Sequence, residues 1–146
     1  MKIDYFKSLN NLTCFKDLKC GEIIIDTKNH DFWLKISRYE DEYVLNLKSG
    51  YTYIPSKSEI FYKPISHGLN KFKDNFTECF NNKKEVSASF MCNINHLAGS
   101  IIEYCGLPYI IDDNHHCYSI YNGKCKHIGP AELVILQKNA FLSIIE

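Results

Sequence analysis

The sequence predicts an α+β fold: an antiparallel β meander over about residues 21–63, then two helices over about 68–81 and 93–105, then one or more C-terminal β hairpins. Three observations carry this reading. Short apolar runs alternate with polar turns in the first half, the apolar spacing changes to three and four residues near Leu69, and Asn122-Gly123 sits between two strand-like runs. With 146 residues, 45% of them hydrophobic and 14% aromatic, the chain suits one compact domain, 1–146, with a core of its own.

In residues 2–19, Ile3, Phe6, Leu9 and Leu12 or Phe15 recur at three- to four-residue spacing, which favours one or two short helical turns. After Gly21 the pattern becomes that of strands. Ile23-Ile24-Ile25 reads as a buried strand and Thr27-Lys28-Asn29-His30 as a turn, and residues 32–36 form a second strand. The charged run Arg38-Tyr39-Glu40-Asp41-Glu42 breaks the chain before a third, Tyr43-Val44-Leu45-Asn46-Leu47. Ser49-Gly50 then turns it into residues 51–54, which stop at Pro55, and residues 58–65 extend the sheet.

The first helix would place Leu69, Phe72, Phe76, Cys79 and Phe80 on one face. The second would be capped by Asn93 or Asn95, bury Leu97, Ile101, Ile102 and Cys105, and stop at Gly106-Leu107-Pro108. Asn-Gly supplies the positive φ values of a two-residue type I′ turn, so residues 117–121 and 124–128 are expected to form a hairpin around Asn122-Gly123. In the tail, Leu133-Val134-Ile135-Leu136 and residues 141–145 favour a hairpin over a helix because they are β-branched and aromatic. No internal repeat is visible in the sequence.

Composition narrows the function classes. The N-terminus has no continuous apolar segment of signal-peptide type, and the seven cysteines are an odd count, so the thiols are expected reduced and the location cytoplasmic. No apolar run reaches the length of a membrane span, so no membrane partner is expected. Basic and acidic residues balance at 17 each and Arg38 is the lone arginine, which argues against nucleic acid. Phosphate-cradling glycine loops are absent.

The reactive side chains concentrate in the C-terminal third, at Cys105, His115, His116, Cys117, Cys125 and His127. Cys105, His116 or Cys117, Cys125 and His127 could supply four zinc ligands, but no cysteine pair has the two-to-four-residue spacing of a structural knuckle. No metal and no cofactor are therefore expected. Cys92, preceding the second predicted helix, with His116 as base and Asp112 or Asp113 upstream of it, resembles the order of nucleophile and base in papain-like hydrolases and transferases. The resemblance covers only those residues, and it implies Cys92 as nucleophile. Here the histidine follows the cysteine closely, and Cys92 lacks the small-residue setting of that family.

The remaining feature is a tyrosine-rich, charged surface on the meander, with Tyr39, Glu40, Asp41, Tyr43, Tyr51 and Tyr53 as partner-binding residues. The expectation is a non-enzymatic, protein-binding inhibitor of the bacterial immunity type, with a toxin domain or a host enzyme as partner. The alternative is a cysteine-dependent hydrolase or transferase, or a zinc-binding protein, centred on Cys92 and residues 105–127.

Overall fold

Two six-stranded antiparallel sheets replace the expected α+β arrangement in the computed structural model, which describes residues 2–5, 11–63, 85–89, 97–137 and 141–144. The first half holds β1 (Lys2–Tyr5), β2 (Leu12–Cys14) with a 3-10 turn at Phe15–Asp17, β3 (Ile23–Asp26), β4 (Phe32–Arg38), β5 (Asp41–Asn46), β6 (Thr52–Tyr53) and β7 (Ile60–Tyr62). The second half holds β8 (Glu85–Ser87), β9 (Ile101–Tyr104), β10 (Leu107–Ile111), β11 (Cys117–Ser119), β12 (Cys125–Lys126), β13 (Leu133–Gln137) and β14 (Phe141–Ile144). The strand orders are β2-β7-β3-β4-β5-β6 and β12-β11-β10-β9-β13-β8, while β1 and β14 pair in parallel.

A meander forms over β3–β6, but β7, expected to extend it, returns to pair with β3, and the α+β class does not stand. No helix of seven or more residues occurs among the described residues. The helix expected at 68–81 lies outside them. The described part of the helix expected at 93–105 is a turn followed by β9. Its apolar residues mimic helical spacing because both faces of β9 are covered: Ile101 joins one core cluster and its neighbour Ile102 another. A strand buried on both sides shows no alternation.

The Asn122-Gly123 hairpin exists, but it is wider than a type I′ turn. Cys117 pairs with Lys126, Tyr118 with Cys125, and the N–H of Ser119 donates to the carbonyl of Lys124. Residues 120–123 form the connection, and of Asn122 and Gly123 only the glycine has positive φ. The tail is β-structure, yet its two strands do not make a hairpin with each other. Strand β13 lies between β9 and β8, and β14 runs beside β1.

The two sheets use one topology twice. In each, four consecutive strands form a meander, the next strand returns to the first of the four, and the strand preceding the meander takes the edge beside it. The registers agree. Ile24 faces Trp33 as Ile102 faces Tyr109, Leu34 faces Leu45 as Ile110 faces Tyr118, and Ile25 faces Tyr62 as Glu103 faces Ile135.

The loops repeat bond for bond. Gly21 donates to the carbonyl of Lys35 and Gly99 to that of Ile111, both at 2.8 Å. Gly50 donates to Asn46 and Gly123 to Ser119, again at 2.8 Å. Asn46 Oδ1 accepts from the N–H groups of Lys48 and Ser49, and Ser119 Oγ from those of Tyr121 and Asn122. Both side chains stand in for a turn carbonyl, as short polar residues do. The chain is thus a structural duplication. Few identities mark it, among them Gly21 with Gly99, Ile23 with Ile101, and Gly50 with Gly123.

The sheets face each other across a core of Leu34, Ile36, Leu45 and Leu47 from the first and Ile101, Ile110, Tyr118 and Ile120 from the second, all 1% exposed or less. Two glycine contacts lock the corners. A Cβ on Gly123 would lie 2.2 Å from the Lys35 carbonyl and 2.7 Å from Gly21 N. A Cβ on Gly50 would lie 2.5 Å from Gly99 N. The two contacts are equivalent under the duplication, since each joins the turn between the third and fourth meander strands of one repeat to the entry glycine of the other. Hydrogen bonds from Ser37 to Gly123 (2.8 Å) and from Asp113 to Gly50 (3.1 Å) accompany them.

Candidate functional site

The duplication supplies an internal comparison, because each position of one sheet has a counterpart in the other. Many counterparts are chemically alike, while Ile25 stands against Glu103 and the buried Lys35 against Ile111. One corner differs at several neighbouring positions at once. Ile36, Tyr43 and Leu45 of the first repeat correspond to Asp112, His116 and Tyr118 of the second, and Phe15 corresponds to Ala88. A carboxylate and an imidazole therefore stand where packing alone would call for apolar groups. A buried charge is costly unless it is paired and hydrogen-bonded.

Asp112 is 1% exposed and fully partnered. Its Oδ1 accepts from the backbone N–H groups of Asn114 (2.9 Å) and His116 (2.8 Å), which shapes the turn between β10 and β11. Its Oδ2 accepts from the Tyr118 hydroxyl at 3.0 Å and lies 3.9 Å from Arg38 Nη1 and 3.4 Å from His116 Nδ1. Arg38 Nη1 and His116 Nδ1 are 2.7 Å apart. The guanidinium sits 5.2 Å from the Tyr43 ring, a cation–π contact. Arg38 comes from the first sheet and the others of this set, apart from Tyr43, from the second, so the network exists only when the two halves are packed.

Beside this network opens a cleft of about 510 Å³. Its polar wall is Arg38, Tyr39, Ser89, His115, His116, Lys126 and His127, and among the described residues no aspartate or glutamate lines it. Ala88 also lines it, at the position where Phe15 fills the outer face of the first sheet. Two rim residues, Tyr39 (φ 57°) and His115 (φ 63°), occupy the left-handed region normally left to glycine. Tyr39 is 96% exposed.

Two thiols, Cys117 and Cys125, border the cleft. Burial pushes the Cys117 thiol up to about 12, with Cys125 and Asp112 adding to it. Burial also raises Cys125, partly opposed by Arg38. Both are therefore thiols rather than thiolates at neutral pH, which is the opposite of nucleophile activation.

The residues singled out in the sequence divide as follows. His115, His116, Cys117, Cys125 and His127 converge on the cleft. Cys105 does not, because it lies exposed in the β9–β10 turn at the other end of β10 from Asp112. The four residues weighed as zinc ligands are thus not brought together, and among the described residues no three His, Cys, Asp or Glu side chains form a metal-binding group. Cys92, the nucleophile of the alternative reading, lies outside the described residues.

The six partner-binding candidates fall at two ends of the β4–β5 hairpin. Tyr39 and Glu40 form its tip, with Asp41 opening β5. Tyr43 is half-buried beneath Arg38 and packs on the inter-sheet core. Tyr51 and Tyr53 lie at the far end with Trp33, whose ring is 5.2 Å from that of Tyr53. The sequence reading missed Arg38 and Lys126 as site residues. The available signal was that the chain's only arginine adjoins Tyr39. No family model, no curated protein and no solved structure matches this chain.

Proposed function

We propose that the chain is a non-enzymatic protein-binding module whose docking surface is the β4–β5 tip and the cleft beside it. The observation that carries this is Tyr39, a 96% exposed aromatic on a left-handed backbone position at the rim of a cleft. Left-handed φ costs a non-glycine residue about 1–2 kcal/mol. Spending it on a tyrosine in solvent makes sense when that ring is covered by something else, and exposed tyrosines are frequent interface anchors. The protonated state of both cleft thiols supports binding over covalent catalysis. An inhibitor of the immunity type, which silences a toxin or an enzyme by occupying it, is the form of this reading that the composition favours.

The test is affinity capture from the source lysate with the wild-type chain, Tyr39→Ala and Tyr51→Ala, in low and high salt. A stoichiometric protein that Tyr39→Ala releases and Tyr51→Ala retains supports the proposal, and assaying that protein with and without the chain decides whether it is inhibited. Release by Tyr51→Ala alone moves the surface to the Trp33 end. Capture of nothing overturns the reading.

A further inference from the structure

We infer that the cleft between Arg38, His116, Lys126 and His127 is an oxyanion site that receives a carboxylate side chain from an acidic peptide segment, an inference that rests on the protein-binding reading above. Charge is the first argument. The polar wall carries two permanent cations and three imidazoles, and among the described residues no acid lines it. The nearest carboxylates lie outside the wall. Asp112 is buried under the network, and Glu132 accepts from the Tyr104 hydroxyl and the N–H of Gly129, with only a through-space influence on Lys126 and His127. Glu40, Asp41 and Asp113 occupy the adjoining turns without lining the cleft.

Donor geometry is the second argument. A guanidinium has five N–H donors and no acceptor, and the bond from Arg38 Nη1 to His116 occupies one of them. Because Arg38 must donate, His116 Nδ1 accepts, and the imidazole proton is on Nε2. Asp112 and Tyr43 fix the Arg38 head before any ligand arrives, so little is lost in ordering it. A planar fork of this kind matches a carboxylate in two-point contact. Asp112 acts here as a positioning residue. The internal comparison is the third argument: the first repeat fills the equivalent places with Phe15, Tyr43 and Tyr53 and has no such wall. A volume of about 510 Å³ is ample for one or two acidic side chains.

The experiment is a titration of the ¹⁵N-labelled chain with a capped hexaglutamate peptide, a capped hexalysine peptide and inorganic phosphate, at two salt concentrations. Hexaglutamate is expected to shift Arg38, His116, Lys126 and His127 in a saturable, salt-sensitive way, and hexalysine to leave them unmoved. Lys126→Gln and His127→Gln, both at exposed positions, should each weaken the peptide several-fold, and Arg38→Gln should abolish binding. The two exposed variants keep the test decisive if Arg38→Gln fails to fold. No shift with hexaglutamate, or shifts indifferent to Lys126→Gln and His127→Gln, would overturn the inference. So would phosphate binding as tightly as the peptide, which would make the cleft a site for a free oxyanion. Tyr39-dependent capture of a protein without any hexaglutamate binding removes this inference and leaves the binding-module reading standing. Loss of both removes both.

Discussion

Arg38 Nη1 and His116 Nδ1 are 2.7 Å apart, and only one protonation state of the imidazole permits that distance. Guanidinium nitrogens donate and never accept, so Nδ1 must offer its lone pair. The same nitrogen lies 3.4 Å from Asp112 Oδ2. A second ring proton would turn Nδ1 into a donor, aim it at Asp112 and repel Arg38. Long-range ¹H–¹⁵N correlation spectra should therefore show neutral His116 with its proton on Nε2. Arg38→Met should erase that preference. A proton found on Nδ1 in the wild type would refute the arrangement.

The corner glycines predict a paired mutational signature. Gly50→Ala and Gly123→Ala force a Cβ to within 2.5 and 2.2 Å of backbone atoms of the opposite repeat, at φ of 74° and 69°. Gly106→Ala is the control. It has φ of 77° and nothing within 4 Å, so it should lose only about 1–2 kcal/mol from backbone strain. The two corner variants should each lose on the order of 4 kcal/mol, because backbone cannot move aside as a side chain can. Urea unfolding midpoints measure all three, and equal losses for corner and control variants would show that the sheets are not locked there.

Lys35 makes a third prediction. Its side chain is buried on the outer face of the first sheet, where Nζ donates to the carbonyls of Phe15 and Leu18 and lies 3.0 Å from Glu42. It pins the 3-10 turn to the sheet. Lys35→Met strands two carbonyls and should cost about 3 kcal/mol. Glu42→Gln, at a half-exposed partner, should cost under about 1 kcal/mol. Chemical denaturation of both variants tests the ranking, and the reverse order would place the stabilisation in the ion pair.

How much of this was legible in the sequence follows from where burial is one-sided. Tyr43-Val44-Leu45-Asn46-Leu47 alternates visibly, and the turns at Thr27–His30 and Ser49-Gly50 carry turn chemistry, so the meander could be read. Ile101-Ile102 could not, because adjacent buried residues on opposite faces look the same in a strand and in a buried helix. The duplication was hidden by sliding offsets. Ile23 and Ile101, Leu34 and Ile110, and Leu45 and Tyr118 are successively closer in sequence, since the second repeat has shorter hairpin turns. The histidine and cysteine half of the site stood out by composition. Its Arg38 and Tyr39 half is far away in sequence and is delivered only by the packing of one sheet on the other.

Alkaline pH should destabilise the fold. Cys117 loses its proton near 9.0 in an unfolded chain but near 12 when buried. Between these values the unfolded state binds fewer protons, so stability falls as pH rises. This thiol alone contributes a slope of about 1.4 kcal/mol per pH unit there. Burial moves Tyr53, Tyr109 and Tyr118 upward too, which steepens the fall. Asp26 works at the other end of the scale. Burial raises it, but hydrogen bonds from Trp33 and from the N–H groups of Asn29, Asp31 and Lys28 outweigh that and lower it, so its contribution disappears as pH drops through the folded value. Unfolding midpoints from pH 8 to 10 should decline, and less so in Cys117→Val, which installs the residue of the equivalent position, Val44. An unchanged slope in that variant would clear the thiol of any part in it.

The strongest prediction comes from rebuilding one repeat in the image of the other. Asp112→Ala alone leaves Arg38 and the Tyr118 hydroxyl without their buried partner and should cost about 3–5 kcal/mol. The triple variant Asp112→Ile, His116→Tyr and Tyr118→Leu installs the first-repeat residues Ile36, Tyr43 and Leu45. It removes Asp112, His116 and the Tyr118 hydroxyl together, and leaves the part-exposed Arg38 with its contact to Tyr43. Exchanging a buried ionic network for packed apolar side chains is often neutral or stabilising, so the triple variant should return to within about 2 kcal/mol of wild type. It should also lose hexaglutamate binding. Stable folding without binding would assign the network to recognition. A triple variant as unstable as Asp112→Ala would assign it to the architecture, as the means by which two copies of one sheet hold together.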